Sequence, residues 1–408
     1  MLANCGCSSA KQSAQSTKSV TTKIEDSGLD LSKYKTLPIK ANKTYTLKSN
    51  WDLKGETYVL PNGVTLKSKG GVFKNGTLIG NNTKIDTKKP LFNKVSIMGY
   101  WNVPEISTGM FASLDYENSL RDVLALTHPE VMNTVVIEDG DYWVSAKSFQ
   151  PALEVCSNTT LVIDGTIRLL PNNFKGCYVI QLKDAENIVI KGSGSILGDK
   201  KDHKGNDGEW GHGINILGTH NITIQDIHVM NCWGDCIYIG DKSSGITIKE
   251  CIIKEGRRQG ISITSAESVT IQGCNISNIY GTNPQYGIDI EPNKGDSVAE
   301  VIIEDVVINN CHGGILSWRP DNAHIGKISL RRCVVSGTKV AHPVYIQLAD
   351  NVVVQNCKVN SVTENCILVQ VVDSLVASDN IMTSKGKSPL ITRKVNKEKL
   401  SNNTILKE

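Results

Sequence analysis

Short aliphatic runs return along this chain at a nearly fixed interval. Ile222-Thr223-Ile224, Ile246-Thr247-Ile248 and Val269-Thr270-Ile271 begin 24 and 23 residues apart, and Ile328-Ser329-Leu330, Val352-Val353-Val354 and Leu375-Val376-Ala377 continue at 24 and 23. Longer intervals, from Val269 to Val301 and from Val301 to Ile328, mark inserted loops. Five residues after each start a core-type position recurs as Ile227, Cys251, Cys274, Val306, Cys333 and Cys357. Three short strands and three turns need about this many residues per coil, so the period predicts an all-β solenoid: a single-stranded, right-handed, three-sided parallel β-helix over 133–408. Its equivalent residues would stack about 4.8 Å apart.

Another strand closes each coil. It reads Gly213-Ile214-Asn215-Ile216-Leu217, Cys236-Ile237-Tyr238-Ile239-Gly240, Gly260-Ile261-Ser262-Ile263-Thr264, Gly287-Ile288-Asp289-Ile290-Glu291, Gly314-Ile315-Leu316-Ser317-Trp318 and Pro343-Val344-Tyr345-Ile346-Gln347. Strand side chains alternate between faces, which turns the second and fourth positions inward and the third and fifth toward solvent. Two outward ladders are thus expected, Asn215, Tyr238, Ser262, Asp289, Leu316, Tyr345 and Leu217, Gly240, Thr264, Glu291, Trp318, Gln347.

Upstream, 31–105 reads as short strands punctuated by Asn-Gly and Gly-Gly pairs. Within 106–132 the spacing of Leu120, Val123, Leu124 and Leu126 turns helical behind Asp115, a candidate N-cap, and predicts a helix capping the solenoid. Residues 1–30 are polar and read as a disordered tether or signal remnant. Leu2-Ala3-Asn4-Cys5 resembles the end of a bacterial lipoprotein signal, which implies a secreted or cell-surface protein anchored at Cys5.

The apolar fraction is 39% with only 5% aromatics, so aliphatic residues fill the core. A net charge of +3 gives no field suited to nucleic acid, and no apolar run is long enough to span a membrane. Ten of the twelve cysteines lie from Cys156 onward, mostly in register with the repeat, as expected of reduced, buried thiols.

The decorated strand ladder holds the candidate chemistry. Asp289 and Glu291, two residues apart on one strand face, place their Cα atoms roughly 6.5–7 Å apart. That spacing suits the paired carboxyls of glycoside hydrolysis. Asp235 lies in the turn before an earlier rung, and Arg257 and Arg258 occupy the rung between, where a guanidinium fork could hold a carboxylate or sulfate or simply neutralise the acids. Glycines bracket Glu209, Trp210 and His212, which are expected to reach the same groove. Trp210, Trp233 and Trp318 offer indole faces for sugar rings. No metal-ligand spacing stands out.

From about Leu161 onward the repeat resembles the pectate-lyase-like β-helix superfamily. Gly234-Asp235-Cys236 followed by Gln259-Gly260-Ile261 is similar to the active-site coils of polygalacturonases, with one aspartate missing, Gln259 in the histidine position and no Arg-x-Lys pair. The resemblance implies a general-acid role for Asp235 alone. Arg257-Arg258-Gln259-Gly260-Ile261 with Tyr286-Gly287-Ile288-Asp289-Ile290-Glu291-Pro292-Asn293 is also similar to uncharacterised right-handed β-helix proteins of gut bacteria and phage tails.

Three functions fit these residues. The first is a glycoside hydrolase acting on a polysaccharide, acidic if the arginines bind it, with Asp289, Glu291 and Asp235 as catalytic carboxyls and no cofactor. The second is a polysaccharide lyase with an arginine base and Ca²⁺ held by the carboxylates. The third is a non-catalytic glycan-binding or tail-type adhesin; monomer and homotrimer are both compatible with the fold.

Overall fold

A computed structural model describes residues 31–117, 119–339, 342–362, 365–385 and 388–407. Cys5, and with it the lipoprotein-type motif and the tether expected over 1–30, lies outside the described residues.

The strands stack in parallel ladders. One ladder runs through His220–Gln225, Ser244–Lys249, Ala266–Gln272, Ser297–Glu304, His324–Arg331 and Asn351–Gln355. Its register pairs Ile222 with Ile246, then Val269, Val301, Ile328, Val352 and Leu375 in turn, the positions the sequence period marks. A second ladder contains His228–Met230, Ile252–Lys254, Asn275–Ser277, Val307–Asn309 and Val334–Ser336. A third, which bears the site, contains Trp210–Leu217, Ile237–Gly240, Ile261–Ile263, Tyr286–Ile290, Gly313–Ser317 and Val344–Gln347.

A two-residue corner separates the first two faces. Its leading residues, Asp226, Glu250, Gly273, Asp305, Arg332 and Asn356, all have φ between 52° and 64°. Left-handed backbone costs a non-glycine residue roughly 1–2 kcal/mol. The residues that follow, Ile227, Cys251, Cys274, Val306, Cys333 and Cys357, are buried in the shaft and offset that cost. The ten cysteines from Cys156 onward are buried and none forms a disulfide.

On the third face Ile237, Ile239, Ile261, Ile263, Ile288 and Ile290 are fully buried, as the alternation requires. The core runs without a break from the N-terminal segment to Met382. The N-terminal strands pair in parallel too, as Thr44–Leu47 with Thr65–Ser68 and Phe73–Ile85 with Phe92–Trp101. Glu105–Ser107 continues onto Asn133–Ile137, joining this region to the main coil.

The single α-helix among the described residues is Ser119–Leu124. Its buried side chains include Leu120, Val123 and Leu124, and it packs on Phe92–Trp101, Asp141–Val144 and Pro151–Glu154. Arg121 fastens it by donating to the carbonyls of Ala152 at 2.7 Å and Ser145 at 2.9 Å. The helix starts four residues beyond Asp115, so that residue is not its cap. No helix among the described residues is long and apolar enough to cross a membrane.

Candidate functional site

The expected ladder of Asn215, Tyr238, Ser262, Asp289, Leu316 and Tyr345 forms in that register. Its exposure differs from the expectation: Asn215, Ser262, Asp289 and Leu316 are buried. Alternation turns these side chains away from the shaft, yet they are enclosed on the outside as well. Over Asp289 the cover is Gln259, whose Nε2 donates to Oδ2 at 2.6 Å while its Oε1 accepts from the Tyr286 backbone N–H at 2.7 Å. Gln259 thus stands where polygalacturonases have a histidine and serves as a buried amide clamp.

The turns before the third face supply the remaining groups. Trp233-Gly234-Asp235 packs so closely under Glu209 that a Cβ on Gly234 would lie 2.3 Å from the Glu209 carbonyl oxygen. Only glycine lets these rungs approach. Arg258, one rung on, is the centre of the cluster. Its Nη1 donates to Asp235 Oδ2 at 3.0 Å, its Nε lies 3.6 Å from Glu209 Oε2, and its Nη2 lies 4.0 Å from Glu291 Oε2. The carboxylates also contribute to the state of Arg258: burial works against its charge, but Asp235, Asp289, Glu209 and Glu291 together raise its pKa.

Two of the four carboxyls are buried and two reach solvent. Asp235 is fully enclosed, and burial pushes its pKa up to about 6 against the pull of Arg258. Asp289 is equally enclosed; burial first, and then the adjacent Glu291 charge, hold it well above the ordinary carboxylate range, with Arg258 opposing. Its Oδ1 has no hydrogen-bond partner, and the Glu291 carboxyl lies beside it. The side chains of Glu209 and Glu291 are 34% and 31% exposed, which singles them out as the acids that solvent or a ligand can touch.

Glu291, Trp210, Tyr238, Arg258, Thr264 and Trp318 line an open cleft of about 280 Å³, completed by Pro292, Asn293, Lys294 and Pro320. Trp210 and Trp318 are 43% and 39% exposed, unusual for indoles. Thr264 and Tyr238 are joined by a 2.8 Å hydrogen bond across neighbouring rungs. These two residues stood on the expected ladders without being singled out. Pro292, Asn293 and Lys294 belong to the insertion that lengthens the interval from Val269 to Val301, a signal readable as an added loop beside Glu291.

Four expected cleft residues are outside its lining; Glu209 stands behind Arg258, 3.6 Å from its Nε, and the other three are elsewhere. His212 is buried, stacked between Tyr178 and Tyr238 with centroids 5.6 and 5.0 Å away. Burial, then the Arg258 charge, push its pKa down to about 3, and its Nδ1 accepts from the Asp235 N–H at 3.2 Å. Its role is to hold the Asp235 turn as a neutral ring. Trp233 is sandwiched by His203 at 3.9 Å on one face and the Arg257 guanidinium at 3.8 Å on the other, which leaves no face for a sugar. Arg257 is committed to that stack and to the Gly208 carbonyl at 2.7 Å. The stack fixes the segment that presents Glu209 and Trp210.

The state of Asp235 has a consequence for stability. Its folded pKa lies above the ordinary value, so its contribution favours folding fully below about pH 4 and is lost as pH rises toward 6. A displacement from 3.8 to about 6 corresponds to about 3 kcal/mol. Unfolding measured from pH 4 to 7 should therefore show the parent losing stability relative to Asp235→Asn by about that amount before the difference levels off. A difference independent of pH would mean that Asp235 ionises normally when folded.

Residues 154–297 match the model of the right-handed β-helix region. The SPbeta prophage-derived uncharacterized protein YorA of Bacillus subtilis strain 168 is 30% identical over 164 residues, 34% of this chain and 28% of that protein. The uncharacterized protein YclG of the same organism is 28% identical over 233 residues, 50% of this chain and 40% of that one. The matched part spans less than half the length of either relative. Among solved structures, a mutant tailspike protein of E. coli bacteriophage HK620, in complex with a pentasaccharide, has a TM-score of 0.50 at 12% identity over 72% of this chain and 60% of that one. By its parallel ladders and these likenesses, the chain has the right-handed parallel β-helix fold.

Proposed function

We propose that this β-helix protein is a glycoside hydrolase that cuts a polysaccharide lying in the cleft between Trp210 and Trp318. The observation that carries the reading is the Asp289–Glu291 pair: a buried carboxyl, held well above the ordinary range by burial and by the Glu291 charge, beside a carboxyl that lines the cleft. Such a pair keeps an acid protonated at neutral pH next to a leaving oxygen. Glu291 donates the proton, and Asp289 replenishes it from below. Glu209, on the other side of Arg258, is the second accessible carboxylate and serves as base. Bridged by one planar guanidinium, the Glu209 and Glu291 carboxylates are no more than about 10 Å apart, a span that admits the ~6.5–9.5 Å of inverting enzymes. Asp235 positions Arg258 between them.

The lyase reading fares less well on the same geometry. A lyase needs an arginine that gives up its proton, whereas the carboxylates around Arg258 strengthen its hold on it. Arg257 is bound to Gly208 and Trp233. Where calcium would gather the acids, the Arg258 guanidinium already does so.

The indoles supply the binding surface. Trp210→Ala and Trp318→Ala should each weaken oligosaccharide binding about tenfold, the ~1.4 kcal/mol typical of one well-placed aromatic contact. Isothermal titration with the panel's best ligand measures this; unchanged affinity in both variants would remove the glycan from this cleft. The activity itself is tested by screening plant, algal and host polysaccharides with reducing-end and ultraviolet readouts side by side. New reducing ends without ultraviolet absorbance are expected. Absorbing, unsaturated products would establish a lyase instead, and binding without any cleavage would establish an adhesin.

A further inference from the structure

The charged groups of the cleft also bear on which sugars it accepts. Arg258 is the one cation among the central groups, and four carboxyls act on it, from Asp235, Asp289, Glu209 and Glu291. Asp235 accepts two hydrogen bonds from its Nη1, at 3.0 and 3.3 Å. Its Nε is buried beside Glu209. Only Nη2 remains to meet a ligand, and it lies 4.0 Å from Glu291 Oε2. Arg257, the other arginine expected to bind an acidic substituent, donates to Gly208 and covers Trp233. The remaining cation of the lining, Lys294, lies on the exposed loop after Glu291, where solvent and salt weaken its pull.

A donor and an acceptor set 4.0 Å apart present one group of each kind to the cleft. A sugar hydroxyl can accept from Nη2 and meet Glu291 in either protonation state, whereas a carboxylate or sulfate can only accept and would bring a further negative charge beside Glu209 and Asp235, which already take up the charge of Arg258. We propose that the sugar seated over Arg258 and Glu291 is uncharged, so that the cleft selects a neutral glycan and rejects a uronate or sulfated residue at that position. The inference rests on the hydrolase reading, and deepens it by naming the substrate class. It also reverses the expectation of an acidic ligand drawn from the arginines alone.

Matched polymers provide the test. Each uronate-containing polysaccharide is compared with its carboxyl-reduced form, which has the same linkages and no charge, alongside neutral polysaccharides; the parent protein is assayed for new reducing ends at low and high salt. Neutral or carboxyl-reduced chains should be cut at least tenfold faster than their uronate counterparts, with a KM that changes less than about twofold with salt. Cleavage of the uronate form as fast as the reduced form, with saturated products, would overturn the neutral-sugar assignment and leave the hydrolase standing. Cleavage of neither member of any pair counts against the hydrolase reading itself.

Discussion

Glu291→Gln should lower turnover by about 10²–10⁴ on whichever polysaccharide the parent cuts, the range supplied by a positioned general acid, equivalent to about 3–5 kcal/mol of barrier. The substitution keeps the shape and removes the proton. Binding should persist, because the indoles of Trp210 and Trp318 and the guanidinium of Arg258 are untouched. Stability should change by less than about 1 kcal/mol, since Glu291 is partly exposed and stands 4.0 Å from its cation. Asp289→Asn should be milder than Glu291→Gln and should move the alkaline limb of the rate profile to lower pH because the raised acid is gone. Retention of more than about a tenth of the turnover in Glu291→Gln would remove it from the chemistry.

Arg258→Met is expected to be the most damaging change to the fold near the site, costing on the order of 2 kcal/mol at neutral pH, below the ~3–5 kcal/mol usual for loss of one partner from a buried ion pair because protonation of Asp235 limits it. Protonation sets the ceiling. A carboxyl stranded without its cation can be neutralised at about 1.4 kcal/mol per pH unit, and because Asp235 already titrates at about 6 with Arg258 in place, its share of the deficit at pH 7 is at most about 1.4 kcal/mol. The same linkage gives the sign. Without Arg258 the folded pKa of Asp235 rises beyond its present value of about 6, so its part of the deficit should open only as pH rises through 6 and be absent at pH 4. Arg258→Lys should recover only part, because one ammonium cannot meet Asp235, Glu209 and Glu291 at their separate angles. Unfolding midpoints at pH 4 and pH 7 measure both effects; a deficit equal at the two values would show that charge burial is not its source.

The repeat was legible in the sequence because one coil is one period. Ile222, Ile246 and Val269 fall in register in the strands as they do in the chain, and the cysteines at 251, 274, 333 and 357 stack where the interval puts them. The identity of the ladder was legible for the same reason. Exposure was not, because strand alternation separates the shaft from the outside but says nothing of what crosses the outside. Asp289 points away from the shaft and is still enclosed, since Gln259 reaches it from a turn 30 residues earlier. Trp233 and Arg257 were candidates by type, and they chose each other: a planar cation over an indole needs no ligand. The cleft itself was harder to foresee, as four of its ten lining residues, Pro292, Asn293, Lys294 and Pro320, come from loops that follow no period.

The proposed hydrolysis requires Asp289 to keep a proton at neutral pH beneath a cleft-facing Glu291. Infrared spectroscopy of the carboxyl region at pH 7, comparing the parent with single variants, reads this without a substrate. A protonated-carboxyl band is predicted in the parent and in Asp235→Asn, and its loss in Asp289→Asn. A parent with every carboxyl ionised at pH 7, or a band that survives Asp289→Asn, would contradict it.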